Sequence, residues 1–578
     1  MKQLFFTVSF LLFSSLTFAG PRSLEQMVKA AEKVLNVPET AGTRASGAGV
    51  QVLKSGGQYT VLGNHESGFA IIANDDRFNA VLGYSHSKFD DANMPPALKA
   101  WMAAVDEALK ENLDNGVTPV PAVELRSSDY PASVDPLLST LWDQSAPYNT
   151  VVVQKLGGDY PTGCVATAMA QVMKYHAWPD TGSDFHSYRC QPEGATRAIK
   201  LSANFGNTTY QWDNMLDMYD TKQHNYTSEQ ADAIATLMFQ CGVSVDMQYN
   251  LDGSGAYINE ASMALREYFR YNTKFYTRDI YTKSEWMDII YAELANNGPI
   301  LYGGVTPSNA GHAFVFDGYD ADGLVHVNWG WSGSGNGYYD VAILNSPTGR
   351  YSEQQQMVIA HDPENSELPY SSEWGLLPTV NWVTSTGGTF TTEGKFDLKA
   401  AGQSLSFTVT NLMNCDDLAF SGSIALLAQP LEDGGESDAL TVLKSVNVTN
   451  AEHNYQYPGN ADDYKGTASV SSLSDGKYRV YFATKSIEES SWQVVRSNET
   501  IVNNYIVTIQ GGSISIEEGE PGWSADLGTT TGIVNVEAHD DQVAGNHIYT
   551  TDGCYVGTDA SKLGKGLYIC NGKKFVKE

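Results

Sequence analysis

The residues of this 578-residue chain best suited to covalent chemistry gather around one cysteine. Cys164 follows a glycine and opens a run of helix formers, Val165 to Tyr175, that stops at Trp178-Pro179. Backbone N–H groups at a helix start lack partners, and the helix dipole there favours negative charge. A cysteine in that place is expected to have a lowered pKa and to be partly thiolate near neutral pH. Gly163 would let another chain come close, as a substrate carbonyl would. The competing reading is a small buried cysteine that only packs the helix.

Three other local features could complete a reaction centre. His312 lies in SNAGHAFVFDGYD, at the mouth of an apolar strand, and could take the thiol proton as a base or be a satisfied core residue. Asp320 to Gly323 reads as a turn, so the following LVHVNWGWSGSGNGYYDV returns beside that strand. Val325, Val327 and Trp329 then face one way, and His326 and Asn328 the other. Asn328 or an adjacent tryptophan would end near His312, the amide holding the imidazole tautomer and an indole shielding it from water. Gln144, in LWDQSAPYN, could pair its side-chain N–H with the Cys164 backbone N–H as an oxyanion hole. The chain order Gln, Cys, His, Asn is that of papain-like thiol proteases, although the C-G-[SA]-C-[WY] signature of papain itself is absent. Neither HExxH nor a paired CxxC occurs, so no metal and no organic cofactor is expected.

These residues need elements to position them. The N-terminus, MKQLFFTVSFLLFSSLTFAG, reads as a secretory signal peptide over residues 1–19, cut after Ala19. Residues 20–125 read as a small α+β unit. Ser23 caps a first helix with Gln26 completing the box, GFAIIANDD and NAVLGYS read as strands, and Pro95-Pro96 opens a second helix carrying Leu98, Trp101, Met102, Val105, Leu109 and Leu113. NGVTPVPAVELRSSDYPAS is a Pro- and Gly-bearing linker where proteases cut. Residues 126–365 mix helices and strands and hold the chemistry. Residues 366–527 carry short alternating runs, such as SLSFTVTNL and YRVYFATK, typical of a β-sandwich. Residues 528–578 form a small β-rich tail.

Bulk properties narrow the partners. A net charge of −31 repels polyanions, which argues against nucleic acid. The six cysteines are too scattered for a disulfide scaffold, although Cys554 and Cys570 could pair across a short hairpin.

Four stretches carry a family resemblance: W-D-Q-S-A-P-Y-N (142–149), T-G-C-V-A-T-A-M-A-Q-V-M-K-Y-H (162–176), G-H-A-F-V-F-D-G-Y (311–319) and H-V-N-W-G-W-S-G (326–333). With them the chain resembles the streptopain family of secreted bacterial cysteine proteases, most closely its interpain-type Bacteroidales members. The resemblance implies an α+β, papain-like catalytic domain with Cys164 as nucleophile, His312 as base and Gln144 in the oxyanion hole. It sets Asn328, Trp329 and Trp331 around the histidine, orienting or shielding it. F-A-I-I-A-N-D-D-R-F-N-A-V-L-G-Y-S (69–85) looks like the family's propeptide, an intramolecular inhibitor. K-G-L-Y-I-C-N-G-K-K-F-V-K (565–577) is similar to tails of many Bacteroidales exported proteins, some sorted by the type IX secretion system, which implies surface attachment or release. The expectation is a secreted or surface-held zymogen that hydrolyses peptide bonds of proteins. Two rivals stand beside it: a thiol acyltransferase or transglutaminase, which would pass the thioester to an amine, and a surface binding protein that works through its β-sandwich. Intact Cys164, His312 and Gln144 argue against the second.

Overall fold

The computed structural model describes residues 20–36, 49–64, 68–305, 311–344, 355–364, 368, 370–383, 387–432, 435–437, 439–459 and 461–524, and the strand backbones 548–550, 555–557, 566–570 and 573–577. The expected signal peptide lies outside the described residues, as does Cys554 and with it any pairing to Cys570.

The N-terminal unit begins with helix α1 (Leu24–Val34), held at its start by the reciprocal Ser23–Gln26 capping box. Strands β1 (Gln51–Ser55), β2 (Tyr59–Asn64), β3 (Gly68–Ala73) and β4 (Val81–Ser85) follow as an antiparallel meander. Helix α2 (Pro96–Asn115) starts at a proline and ends at Gly116, whose left-handed φ of 67° favours a residue without a Cβ.

The central part contributes α3 (Thr150–Leu156), α4 (Cys164–His176), the hairpin β5 (Phe185–Cys190) and β6 (Ile199–Asn204), α5 (Ser228–Ser244) and α6 (Ile258–Phe269). Then come β7 (Asn272–Thr277), α7 (Lys283–Asn296), β8 (Ile300–Val305), β9 (Gly311–Tyr319), β10 (Val325–Asn328), β11 (Gly337–Tyr339) and β12 (Gln356–His361). The N-terminal strands do not form a sheet of their own. Tyr338 and Tyr339 of β11 pair with Tyr84 and Gly83 of β4. The result is one ten-stranded sheet in the order β1-β2-β3-β4-β11-β10-β9-β8-β12-β7.

That sheet separates two cores. One face packs on α3 to α6 through Phe275, Leu301, Ala313, Val315 and Val358. The other packs on α2 and α7 through Ile300, Tyr302, Phe316, Val325, Val327 and Trp329. The alternation along β9 and β10 decides which side chain meets which helix. Every residue of helix α4 from Val165 to Met173 is enclosed. A stretch of helix buried all round belongs at the centre of its domain, and Cys164, half-buried, packs at the edge of that core.

Beyond residue 370 the regular elements among the described residues are all strands. A three-stranded sheet (Lys395–Ala401, Ser404–Thr410, Tyr464–Ser469) and a seven-stranded sheet that includes Phe420–Glu432, Gly476–Ser486 and Asn504–Gln510 enclose a third core. The backbones of residues 548–577 form a four-stranded antiparallel sheet. Among the described residues no helix is long and apolar enough to cross a membrane.

Candidate active site

Cys164 is the first residue of α4, with Gly163 as its N-cap at φ 93°. That backbone conformation favours glycine. A Cβ at Gly163 would also lie 2.6 Å from Met247 Sδ and 3.1 Å from the Ser254 carbonyl. The close neighbour that excludes a side chain in this structure is the protein's own 247–254 segment. Ser254 Oγ donates to the Pro161 carbonyl at 2.8 Å and ties that segment to the strand-like lead into the cysteine.

Cys190, Cys241 and Cys415 are buried free thiols, whereas Cys164 is only partly enclosed. Backbone N–H groups of Ala313, Val165 and Cys164 itself face the Cys164 sulfur and favour the thiolate, but burial outweighs them and pushes the thiol pKa up. The lowered pKa expected from a helix start is corrected here. The cost of removing the sulfur from water exceeds what the facing amides return to its charged form. Burial also pushes the His312 imidazole below its ordinary pKa. Both shifts favour the neutral thiol–imidazole pair over the thiolate–imidazolium pair. Among the described residues no hydrogen bond joins the two side chains.

The Ala313 contact nevertheless locates the histidine. β9 runs past the start of α4 with Ala313 and Val315 turned into the α4 core. His312 is one residue before the amide that faces the sulfur, on the strand face it shares with Phe314 and Phe316. The Trp329 ring lies tilted 4.8 Å from that of Phe314 and edge-on 5.3 Å from that of Tyr339, and its Nε1 donates to the Gly335 carbonyl at 3.0 Å. Trp331 is half-buried on the loop after β10.

Asn328 is engaged elsewhere. Its Nδ2 donates to the Thr140 carbonyl at 2.8 Å, and its Oδ1 accepts from Gly330 N at 3.1 Å. Across the β9–β10 ladder it sits opposite Val315, with a register shift between His326 and Val327. With Nδ2 and Oδ1 so engaged, Asn328 makes no hydrogen bond to His312.

Gln144 comes beside the cysteine through its backbone: its carbonyl accepts from Thr162 N at 3.0 Å, two residues before Cys164. Its side chain makes no hydrogen bond among the described residues, which leaves the carboxamide N–H free to donate. Asp143 Oδ1 accepts from Gln144 N at 2.6 Å and from Ser145 N at 3.1 Å, and Asp143 Oδ2 accepts from Ser332 Oγ at 2.6 Å. Sequence reasoning passed over Asp143, Thr140, Gln171 and Ser332. The Asp143 turn was readable as an aspartate bonding the amides that follow it. The others meet only in three dimensions, from positions far apart in the chain.

The N-terminal unit grips the same region from outside. Tyr84 stacks on Tyr338 at 5.1 Å and donates to Asp320 Oδ2 at 3.1 Å. Ser85 Oγ donates to the Asn336 carbonyl at 2.6 Å, and Gly335 N donates to Ser87 Oγ at 2.8 Å. Asn336 Oδ1 in turn accepts from Trp329 N at 3.0 Å. The loop that carries Trp329 and Trp331 is therefore bonded to residues 85–87. Among the described residues no group of three His, Cys, Asp or Glu side chains could hold a metal ion.

Residues 142–339 match the peptidase C10 family, and residues 24–109 match the Spi protease inhibitor family. The chain is 34% identical over 305 residues to streptopain of Streptococcus pyogenes, a match covering 50% of this chain and 75% of streptopain. It is 33% identical over 407 residues to the thiol protease/hemagglutinin PrtT of Porphyromonas gingivalis, covering 65% of this chain and 46% of PrtT, so it spans about half of that relative. Among solved structures it is similar to a prointerpain A fragment of Prevotella intermedia, at 40% identity, 54% of this chain, 97% of the fragment and a TM-score of 0.49.

Proposed function

This chain belongs to the streptopain, or peptidase C10, family of cysteine proteases, and we propose that Cys164 is its nucleophile, His312 its base and Gln144 the side-chain donor of its oxyanion hole. The protein is an endopeptidase made as a zymogen, with residues 20–125 as the inhibitory propeptide and residues 126–365 as a papain-like catalytic domain.

The chemistry follows from the site. Once the propeptide leaves, His312 takes the Cys164 proton and the sulfur attacks the scissile carbonyl carbon. The carbonyl oxygen, now negative, is held by the Cys164 N–H and Gln144 Nε2. His312 hands its proton to the leaving amine, then draws a proton from water as the water attacks the thioester and frees Cys164. In the propeptide-bound form burial keeps the thiol protonated and the imidazole neutral, which suits a resting zymogen. Export through the N-terminal signal, an accessory β-sandwich over residues 366–527 and surface attachment through residues 528–578 complete the reading.

The observation that carries it is the packing of Ala313 and Val315 into the core of α4 against which Cys164 sits, which supports setting the strand of His312 beside the start of that helix. The test compares residues 20–578 as wild type and as Cys164→Ala, incubated with casein under reducing conditions. Wild type is expected to shed the propeptide, digest casein and be blocked by a thiol-alkylating reagent, while the variant stays full length and inert. Wild type that stays inert after an outside protease removes the propeptide would overturn the assignment.

A further inference from the structure

The segment that carries Gln144 is bonded on both flanks by residues with no assigned part in the reaction. On one side Thr140 Oγ1 donates to Gln171 Oε1 of α4 at 3.0 Å, seven residues beyond Cys164 on the same helix. On the other, Asn328 Nδ2 donates to the Thr140 carbonyl at 2.8 Å. Ser332 N donates to the Trp142 carbonyl at 3.0 Å, and Ser332 Oγ bonds Asp143. Thr140, Gln171 and Asn328 are all buried, at 2%, 0% and 2% exposure, so these bonds form in a dry setting where they are strong and costly to lose. The loop after β10 can lie this close because Gly330, at φ 67°, presses on α4: a Cβ there would sit 3.1 Å from Thr167 Cγ2. Thr167 Oγ1 in turn donates to the Gly163 carbonyl at 3.0 Å, at the cysteine's own cap.

The donor segment is thus strung between the helix that bears the nucleophile and the loop that follows Asn328. We propose that Asn328, acting through Thr140 and seconded by Gln171 and the Ser332–Asp143 pair, is a positioning residue that fixes Gln144 relative to the Cys164 sulfur. Its amide sets the oxyanion hole and does not orient the imidazole. This rests on the reading of Gln144 as an oxyanion donor. It assigns Asn328 a task different from that of an asparagine that follows its histidine in a thiol-protease layout, because both ends of its amide are already bonded.

The test is a double-mutant cycle on the full chain after propeptide removal, read as kcat and KM on a peptide substrate. Gln144→Ala is expected to lower kcat by about 10²- to 10³-fold with KM little changed, as for loss of one oxyanion donor. Asn328→Ala is expected to lower kcat about tenfold or more in the wild-type background, and less than about twofold further in the Gln144→Ala background. The acid limb of its kcat/KM profile against pH stays where it is in wild type. Ser332→Ala and Thr140→Val, which remove single hydroxyls and leave the backbone bonds, give smaller losses that also vanish beside Gln144→Ala, and they carry the test if Asn328→Ala does not fold by thermal melting. Losses that multiply with Gln144→Ala, or a moved acid limb, overturn the positioning role and return Asn328 to the histidine. A Gln144→Ala chain with full kcat removes the oxyanion reading itself, and the inference with it.

Discussion

Lys274 is the place where one substitution should most weaken the contact between β7 and the strands beyond residue 370. Its side chain is 5% exposed and lies 3.3 Å from Glu373 and 3.5 Å from Asp416, both in that later part of the chain. Its Nζ also donates to the Ser371 carbonyl. Around it Arg266 bonds Asp417 at 2.9 Å, Arg496 lies 3.0 Å from Glu285 and 3.6 Å from Glu373, and Tyr281 donates to Glu373 at 2.6 Å. Lys274→Ala leaves two buried carboxylates without their closest cation. Breaking such a pair from one side costs about 3–5 kcal/mol, far more than the net worth of the pair. For a cooperative unit of this size that is a fall in Tm of roughly 6–20 °C. The deficit also has a pH signature. Burial pushes the Asp416 carboxyl up to about 7 even with Lys274 present to pull it down. A carboxyl whose folded pKa is raised takes up a proton on folding, so its drag on stability is greatest above the folded value and fades as pH falls toward the ordinary carboxylate range. Without the lysine the folded pKa rises further, and Lys274→Ala should be far closer to wild type at pH 5 than at pH 8. The assay is thermal unfolding by circular dichroism of both chains at the two pH values, on Cys164→Ala chains that cannot digest themselves. A loss under about 1 kcal/mol at pH 8, or the same loss at both pH values, refutes the reasoning.

Two further outcomes follow from the propeptide contacts and the dry cysteine. A Cβ at Gly83 would lie 2.5 Å from Tyr339 Cδ1 and 3.0 Å from the Tyr338 carbonyl, so Gly83→Val should weaken the β4–β11 seam and shorten the lifetime of the full-length form. The check is a gel time course of conversion, and a lifetime equal to that of wild type counts against the seam as the latch. Burial holds the Cys164 thiol above its ordinary pKa, so in a latent His312→Ala chain Cys164 should react with iodoacetamide more slowly at pH 7 than a free cysteine, and faster as pH rises. Site-resolved mass spectrometry reads the rate, and rapid labelling at pH 7 would mean the helix start does prevail over burial.

The part of this protein that its sequence determines is local. The Ser23–Gln26 box, Pro96 and Gly116 mark helix ends because caps act within one turn. Cys164 begins α4 because the residues after it are helix formers and the Gly163 backbone conformation suits only glycine. The β9–β10 hairpin, with Val325, Val327 and Trp329 in one core, follows from a turn at Asp320–Gly323 and a period of two. The order of Gln144, Cys164 and His312 was legible as chemistry for the same reason. Tertiary structure decided what depends on who sits across a gap. Whether the Cys164 thiol is raised or lowered turns on how much protein covers it, which no local window reports. The bond of Asn328 to Thr140 depends on a segment 188 residues away, and an amide goes to whichever partner packing brings into reach. The fusion of the N-terminal strands with β11 has the same origin: an edge strand pairs with any edge that the packing of α2 brings alongside, and alternation within either strand does not name its neighbour.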